Sequence, residues 1–122
     1  MRRIGVVTFI GAGRMATALA TGLLGHGFPR SRLRAVEIQP AAATLFAAAT
    51  GVKPDCEAAV AVSEAAVVVL AVKPQQAQEA LASLCGSLDD RLLLSVVAGV
   101  RLAALATWGG ATRVIRAMPN LP

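Results

Sequence analysis

Tyrosine is absent from this chain, aromatics make up 3% of it, and histidine occurs once, at His26. That scarcity excludes a groove in which bases stack on successive rings, the usual device for gripping single-stranded nucleic acid. Twelve basic residues against seven acidic ones leave a net charge of +5. The arginines are scattered along the whole chain instead of forming a patch, so the surplus reads as a solvated basic surface and not a nucleic-acid face. Two cysteines, Cys56 and Cys85, lack metal-ligand spacing and any CxxC partner, which excludes a disulfide framework and a zinc ribbon. They read as small packing or surface residues in a reducing, cytoplasmic setting. No metal site is expected. The longest apolar run, Ala65 to Val72, has eight residues, well short of the ~18 a membrane helix needs. Arg2-Arg3 followed by an apolar stretch imitates a signal peptide, but Arg14 and a glycine turn interrupt it.

What the chain does have is glycine and alanine in an informative order. The apolar run Ile4-Gly5-Val6-Val7-Thr8-Phe9-Ile10 leads directly into Gly11-Ala12-Gly13-Arg14-Met15-Ala16, and a helical pattern continues through Leu19, Leu23 and Leu24. This is the sequence of a strand, a glycine turn and a helix start. Gly11 permits a sharp turn, Gly13 leaves no Cβ between backbone and a pyrophosphate, and small Ala16 lets the helix lie close on the strand. The helix N-terminus then offers unpaired N–H groups and partial positive charge to an anion. Many glycine pairs precede alanine-rich helices by chance, so the surroundings must decide.

Those surroundings alternate. Strand-like segments fall at 4–10, 33–38, 66–72, 91–97 and 112–117, with helical stretches at 14–25, 41–50, 57–64, 75–85 and 101–107 and a weak strand signal near 52–54. Val67-Val68-Val69-Leu70 and Leu92-Leu93-Leu94 are continuous apolar runs, as in parallel strands buried on both faces. The alternation predicts one α/β domain over 1–122, a Rossmann-like, doubly wound, mainly parallel sheet with helices on both faces. Ligands of such sheets bind beyond the carboxyl ends of the strands. Those ends carry the glycine turn, Glu37-Ile38-Gln39-Pro40, Val72-Lys73-Pro74, Val97-Ala98-Gly99 and Met118-Pro119-Asn120, expected to share one rim. Glu37 lies where an acid would hydrogen-bond the adenosine ribose. A 2′-phosphate ~4 Å from its carboxylate would be repelled by ~1–4 kcal/mol, which leans the site toward NAD. Arg34, earlier on the same strand, is a candidate to reach around and offset that repulsion.

Four segments in order resemble the pyrroline-5-carboxylate reductase family: Phe9-Ile10-Gly11-Ala12-Gly13-x-Met15-Ala16, Leu70-Ala71-Val72-Lys73-Pro74-Gln75, Ser95-x-x-Ala98-Gly99 and Arg116-Ala117-Met118-Pro119-Asn120. The resemblance is to the family's N-terminal dinucleotide-binding domain. It implies reduction of the cyclic imine 1-pyrroline-5-carboxylate to proline with hydride from NADH or NADPH. Carried over by position, it implies that backbone around Ala12, Gly13, Arg14 and Met15 holds the pyrophosphate, with Gly11 and Ala16 completing the cofactor-binding turn. Glu37 and the Val72, Lys73, Pro74 loop then flank the adenosine half and the nicotinamide ribose, and Ala98, Gly99, Met118, Pro119 and Asn120 border the nicotinamide and the imine. It implies no covalent nucleophile and no catalytic residue in this chain. His26 reads as a cap at the end of the first helix, Lys73 as a loop lysine held for backbone shape, and Trp108 as a core plug. Arg116 reads equally as a carboxylate-attracting group or a surface charge.

The chain also departs from the family pattern. Arg14 stands where Asn is commoner, Val97 replaces an Ala beside the nicotinamide, Leu121 replaces a Thr, and Ala58 replaces an Asn near the adenosine. The family continues into a helical domain that dimerises and supplies much of the substrate pocket, whereas this sequence stops at Pro122. A homo-oligomer is therefore expected of the full-length protein, with a small imino acid as substrate and no nucleic-acid or membrane partner. Two other readings stay open: a non-catalytic nucleotide-binding module, or another small Rossmann oxidoreductase, of the 6-phosphogluconate or deazaflavin-dependent type.

Overall fold

The computed structural model describes residues 5–118. Five strands, β1 (Val6–Ile10), β2 (Leu33–Val36), β3 (Ala65–Leu70), β4 (Leu92–Ser95) and β5 (Arg113–Arg116), form one sheet in the order β2-β1-β3-β4-β5. Every pairing is parallel. Parallel neighbours need crossover connections, and the helices that supply them are α1 (Arg14–Gly25), α2 (Pro40–Thr50), α3 (Ala58–Val62), α4 (Ala77–Ala82) and α5 (Leu102–Gly109). The weak strand signal near 52–54 becomes a one-residue parallel bridge, Val36 to Asp55. There the Asp55 amide donates to the Ala35 carbonyl and the Glu37 amide to the Asp55 carbonyl, both at 2.9 Å. This adds a rudimentary strand outside β2, completing the strand order of the dinucleotide-binding fold.

Alternating side chains divide the core into two layers. On one face Val68, Leu70 and Leu93 pack with Val62, Leu81, Leu84 and Leu105 from the α3, α4 and α5 side. On the other, Val7, Phe9, Ala35 and Val69 pack with Ala16, Ala20 and Phe46 from α1 and α2. Thr8 points into the first layer, fully buried, and its hydroxyl donates to the Ala61 carbonyl at 2.7 Å, tying β1 to α3. Ala16 is completely buried, the close helix–strand contact its size permits.

Several predicted boundaries shorten. The segment 33–38 is strand only to Val36, the last of its residues paired with β1. The helix predicted over 75–85 splits into a 3-10 turn at Pro74–Gln76 and α4, consistent with a proline opening a turn without needing an amide. Trp108 is half-buried against the first core layer, covering it instead of plugging it. Val97 is 2% exposed within that same layer, so its extra bulk packs into the core.

Candidate functional site

Strand register builds the site. Val36 pairs with Ile10, Ile10 with Leu70, Leu70 with Ser95 and Ser95 with Arg116, so the five last strand residues form one row across the sheet. The next residue in four cases donates its amide to a neighbour in that row. Gly11 bonds the Val36 carbonyl, Ala71 that of Ile10, Val96 that of Leu70 and Ala117 that of Ser95, at 2.8–3.0 Å. The expected common rim is therefore a hydrogen-bonded edge. Every segment beyond it leaves at the same height.

The strand order reverses between β1 and β3, the place where open α/β sheets form a crevice. Gly11 stands at that point with φ +96°, and a Cβ there would lie 2.8 Å from the Ala71 carbonyl oxygen. Glycine is required both by the turn and by the approach to β3. Gly13 differs, since a Cβ there would meet nothing within 4 Å. It is the N-cap of α1, with no side-chain cap bond and no acidic residue in the first turn. The Thr17 amide bonds the Gly13 carbonyl at 2.9 Å, leaving the amides of Arg14, Met15 and Ala16 without intrahelical partners. Open space before an uncapped twelve-residue helix fits a phosphate group. Beside it an apolar groove of about 630 Å³ runs between α1 and α2, lined by Ala12, Gly13, Arg14, Thr17, Ala42 and Leu45.

Glu37 follows β2 on the same rim, half-buried. One carboxylate oxygen accepts the Ala12 amide at 2.9 Å and the other the Gln39 amide at 3.0 Å. The Ala12 amide is thus committed inside the protein, and the free amides of the turn are those that follow Gly13. Arg34 does not approach the rim. Its guanidinium turns back to donate to the Ser31 carbonyl at 2.7 Å, at the opposite end of β2, so the reach-around expected of it does not occur. Arg14 is exposed beside Gly13.

Val72 is half-buried, and Lys73 and Pro74 are exposed at the start of the 3-10 turn after β3. Ala98 and Gly99 are exposed after β4, and Met118 lies 61% exposed after β5. Pro119, Asn120 and Leu121 lie outside the described residues. His26 caps the end of α1 through its backbone amide, as expected, and Cys56 and Cys85 are exposed and free. Among the described residues no cluster of three or more candidate ligands could hold a metal. Among the described residues no helix is long and apolar enough to cross a membrane. Sequence reasoning missed the lining residues Thr17, Ala42 and Leu45. Leu45 is 70% exposed on the alanine-rich helix α2.

A doubly wound sheet with a glycine turn and an uncapped helix at its switch point defines a Rossmann-type nucleotide-binding domain. The chain belongs to the family described as NADP oxidoreductase coenzyme F420-dependent, whose model matches residues 6–99. It is 37% identical over 118 residues to a pyrroline-5-carboxylate reductase of Pseudomonas aeruginosa, covering 95% of this chain and 43% of that protein. With the Glycine max protein of the same name the identity is 42% over 118 residues, covering 93% of this chain and 42% of the other. A solved pyrroline-5-carboxylate reductase from Coxiella burnetii superposes with a TM-score of 0.90 at 31% identity, covering 98% of this chain and 46% of that one. The chain therefore spans less than half the length of the relatives it matches.

Proposed function

We propose that this chain forms the cofactor-binding half of a reductase that converts 1-pyrroline-5-carboxylate to L-proline with NADH or NADPH. The observation that carries this reading is the row of strand ends Val36, Ile10, Leu70, Ser95 and Arg116. Beyond it, the described parts of the segments resembling the reductase family lie along one rim. Held by the glycine turn and Glu37, a dinucleotide would supply hydride chemistry for the imine carbon and leave oxidised, with a proton taken up at the imine nitrogen to give the secondary amine. This chain's contribution is position. Amides of Arg14, Met15 and Ala16 face the pyrophosphate, and Glu37 faces the adenosine ribose. The segments at Val72-Lys73-Pro74 and Ala98-Gly99, with Met118, Pro119 and Asn120, aim the nicotinamide at the substrate.

Residues 1–122 are read as one domain, in a cytoplasmic enzyme whose full-length form is a homo-oligomer. The lean to NADH rests on Glu37, and side-by-side titration with NADH and NADPH tests it; tighter NADPH binding overturns it. The catalytic reading is tested by assaying imine reduction with the chain alone and with a chimera in which it replaces the matching portion of the Pseudomonas aeruginosa relative. An active chimera supports the reading. A chimera that folds and binds cofactor without turnover leaves a nucleotide-binding module instead.

A further inference from the structure

We propose that Glu37 is a positioning residue for the phosphate cradle, acting as a strap between the glycine turn and the loop that opens α2. The inference rests on the cofactor reading above but starts from different atoms. The Glu37 amide is anchored outward on the Asp55 carbonyl, while its side chain reaches inward to take the Ala12 amide on one oxygen and the Gln39 amide on the other. The amides of Gly11 and Ala12, consecutive in the turn, are thus both held by the end of β2: one by the Val36 carbonyl, one by the Glu37 carboxylate. Gly13 and the free amides of α1 follow immediately, so the strap sets where they point.

A carboxylate offers about four acceptor sites. Two are used by backbone amides, and two remain, the number of donors on a vicinal ribose diol. The same group therefore holds the turn in the free protein and receives a ribose without releasing it. A ribose-binding acid that waits unbonded in the free protein would serve only the second purpose.

The strap is read without any nucleotide, by amide hydrogen exchange in the ligand-free protein. Glu37→Ala should speed exchange at Ala12 and Gln39 by roughly ten- to a hundredfold, the range set by a charge-assisted bond, while amides within β1 stay protected. Glu37→Gln keeps one acceptor oxygen and presents an NH2 in place of the other, so it should release one of the two amides and spare its partner. Inorganic pyrophosphate, which has no ribose, supplies the second readout. Removing a negative charge should tighten its binding if Glu37 acts only through charge. Loss of the strap should weaken it several-fold. Unchanged Ala12 exchange, or tighter pyrophosphate binding by Glu37→Ala, overturns the proposal. Exchange that depends on Glu37 in a protein that binds neither NADH nor NADPH supports the strap and overturns the cofactor reading alone.

Discussion

Gly11 and Gly13 sit two residues apart in one turn, yet the structure assigns them opposite sensitivities. Gly11 occupies φ +96°, where an L side chain is strained, at a cost of about 1–2 kcal/mol. Its added Cβ would also lie 2.8 Å from the Ala71 oxygen, 3.0 Å from the Ala71 carbonyl carbon and 3.1 Å from a Val72 methyl. The nearest two atoms are backbone at the switch point of the sheet and yield only if β1 and β3 shift, an overpacking cost of about 1–3 kcal/mol. Gly11→Ala should therefore lose roughly 2–5 kcal/mol, a large fraction of the ~5–15 kcal/mol typical of a domain. Near 3 kcal/mol the melting temperature of a domain this size falls by about 10–15 °C. Gly13 has an extended backbone with φ −80° and open space where its Cβ would go. Alanine there should shift stability by less than about 1 kcal/mol. It would, however, stand in the space assigned to the pyrophosphate and weaken NADH binding at least tenfold. Thermal melts of the ligand-free variants beside fluorescence titrations with NADH read both effects. A Gly11→Ala protein that melts with the wild type refutes the steric argument, and a Gly13→Ala protein that binds NADH normally refutes the placement of the phosphate.

Thr8→Val removes the hydroxyl that bonds the Ala61 carbonyl at 2.7 Å while keeping the side chain's shape. It should lower stability by about 1–2 kcal/mol, seen as a reduced urea midpoint with an unchanged m-value. Arg30 donates through Nε to the Thr50 carbonyl at 2.7 Å, capping the end of α2 from an exposed position. Arg30→Ala should cost about 0.5–1.5 kcal/mol and raise amide exchange first in the last turn of α2, measured by mass spectrometry with the sheet amides as the internal standard.

The sheet was legible because its information is local. An eight-residue apolar run broken by Lys73 and Pro74 has few options besides a strand buried on both faces, and β3 is that strand. The glycine turn was legible for the same reason, since positive φ at Gly11 and the open cap at Gly13 are properties of their own backbone. What resisted reading depends on distant partners. Nothing near Arg34 in sequence marks that its guanidinium folds back on Ser31 instead of reaching the rim. Alanine-rich α2 offers almost no contrast between its faces, so Leu45 and Phe46 look alike in sequence although one lines an open groove and the other is fully buried. Glu37 was legible as an acid in the right place, but its hold on the Ala12 amide is a contact between residues twenty-five apart that only the folded register of β1 and β2 creates.

That contact also determines how a preference for NADH would arise, and salt can separate the two routes. If Glu37 disfavours NADPH by repelling the 2′-phosphate, the effect is coulombic: about 1–4 kcal/mol at ~4 Å over the range from bulk water to a protein surface. Glu37 is only half-buried, so its charge meets solvent and its repulsion of a 2′-phosphate would be screened. Raising ionic strength from ~0.01 to ~1 M shortens the Debye length from ~30 to ~3 Å. A repulsive preference should then shrink several-fold. If the preference instead comes from the ribose diol filling the two remaining acceptor sites of the carboxylate, the 2′-phosphate removes a donor. That difference is made at contact distance and changes little with salt. Because two acceptor sites are already occupied by Ala12 and Gln39, the diol fits the vacant pair, and the hydrogen-bonded route should dominate. The ratio of NADH to NADPH dissociation constants should therefore stay within about twofold across this salt range; a ratio that collapses toward unity would show that charge alone does the selecting.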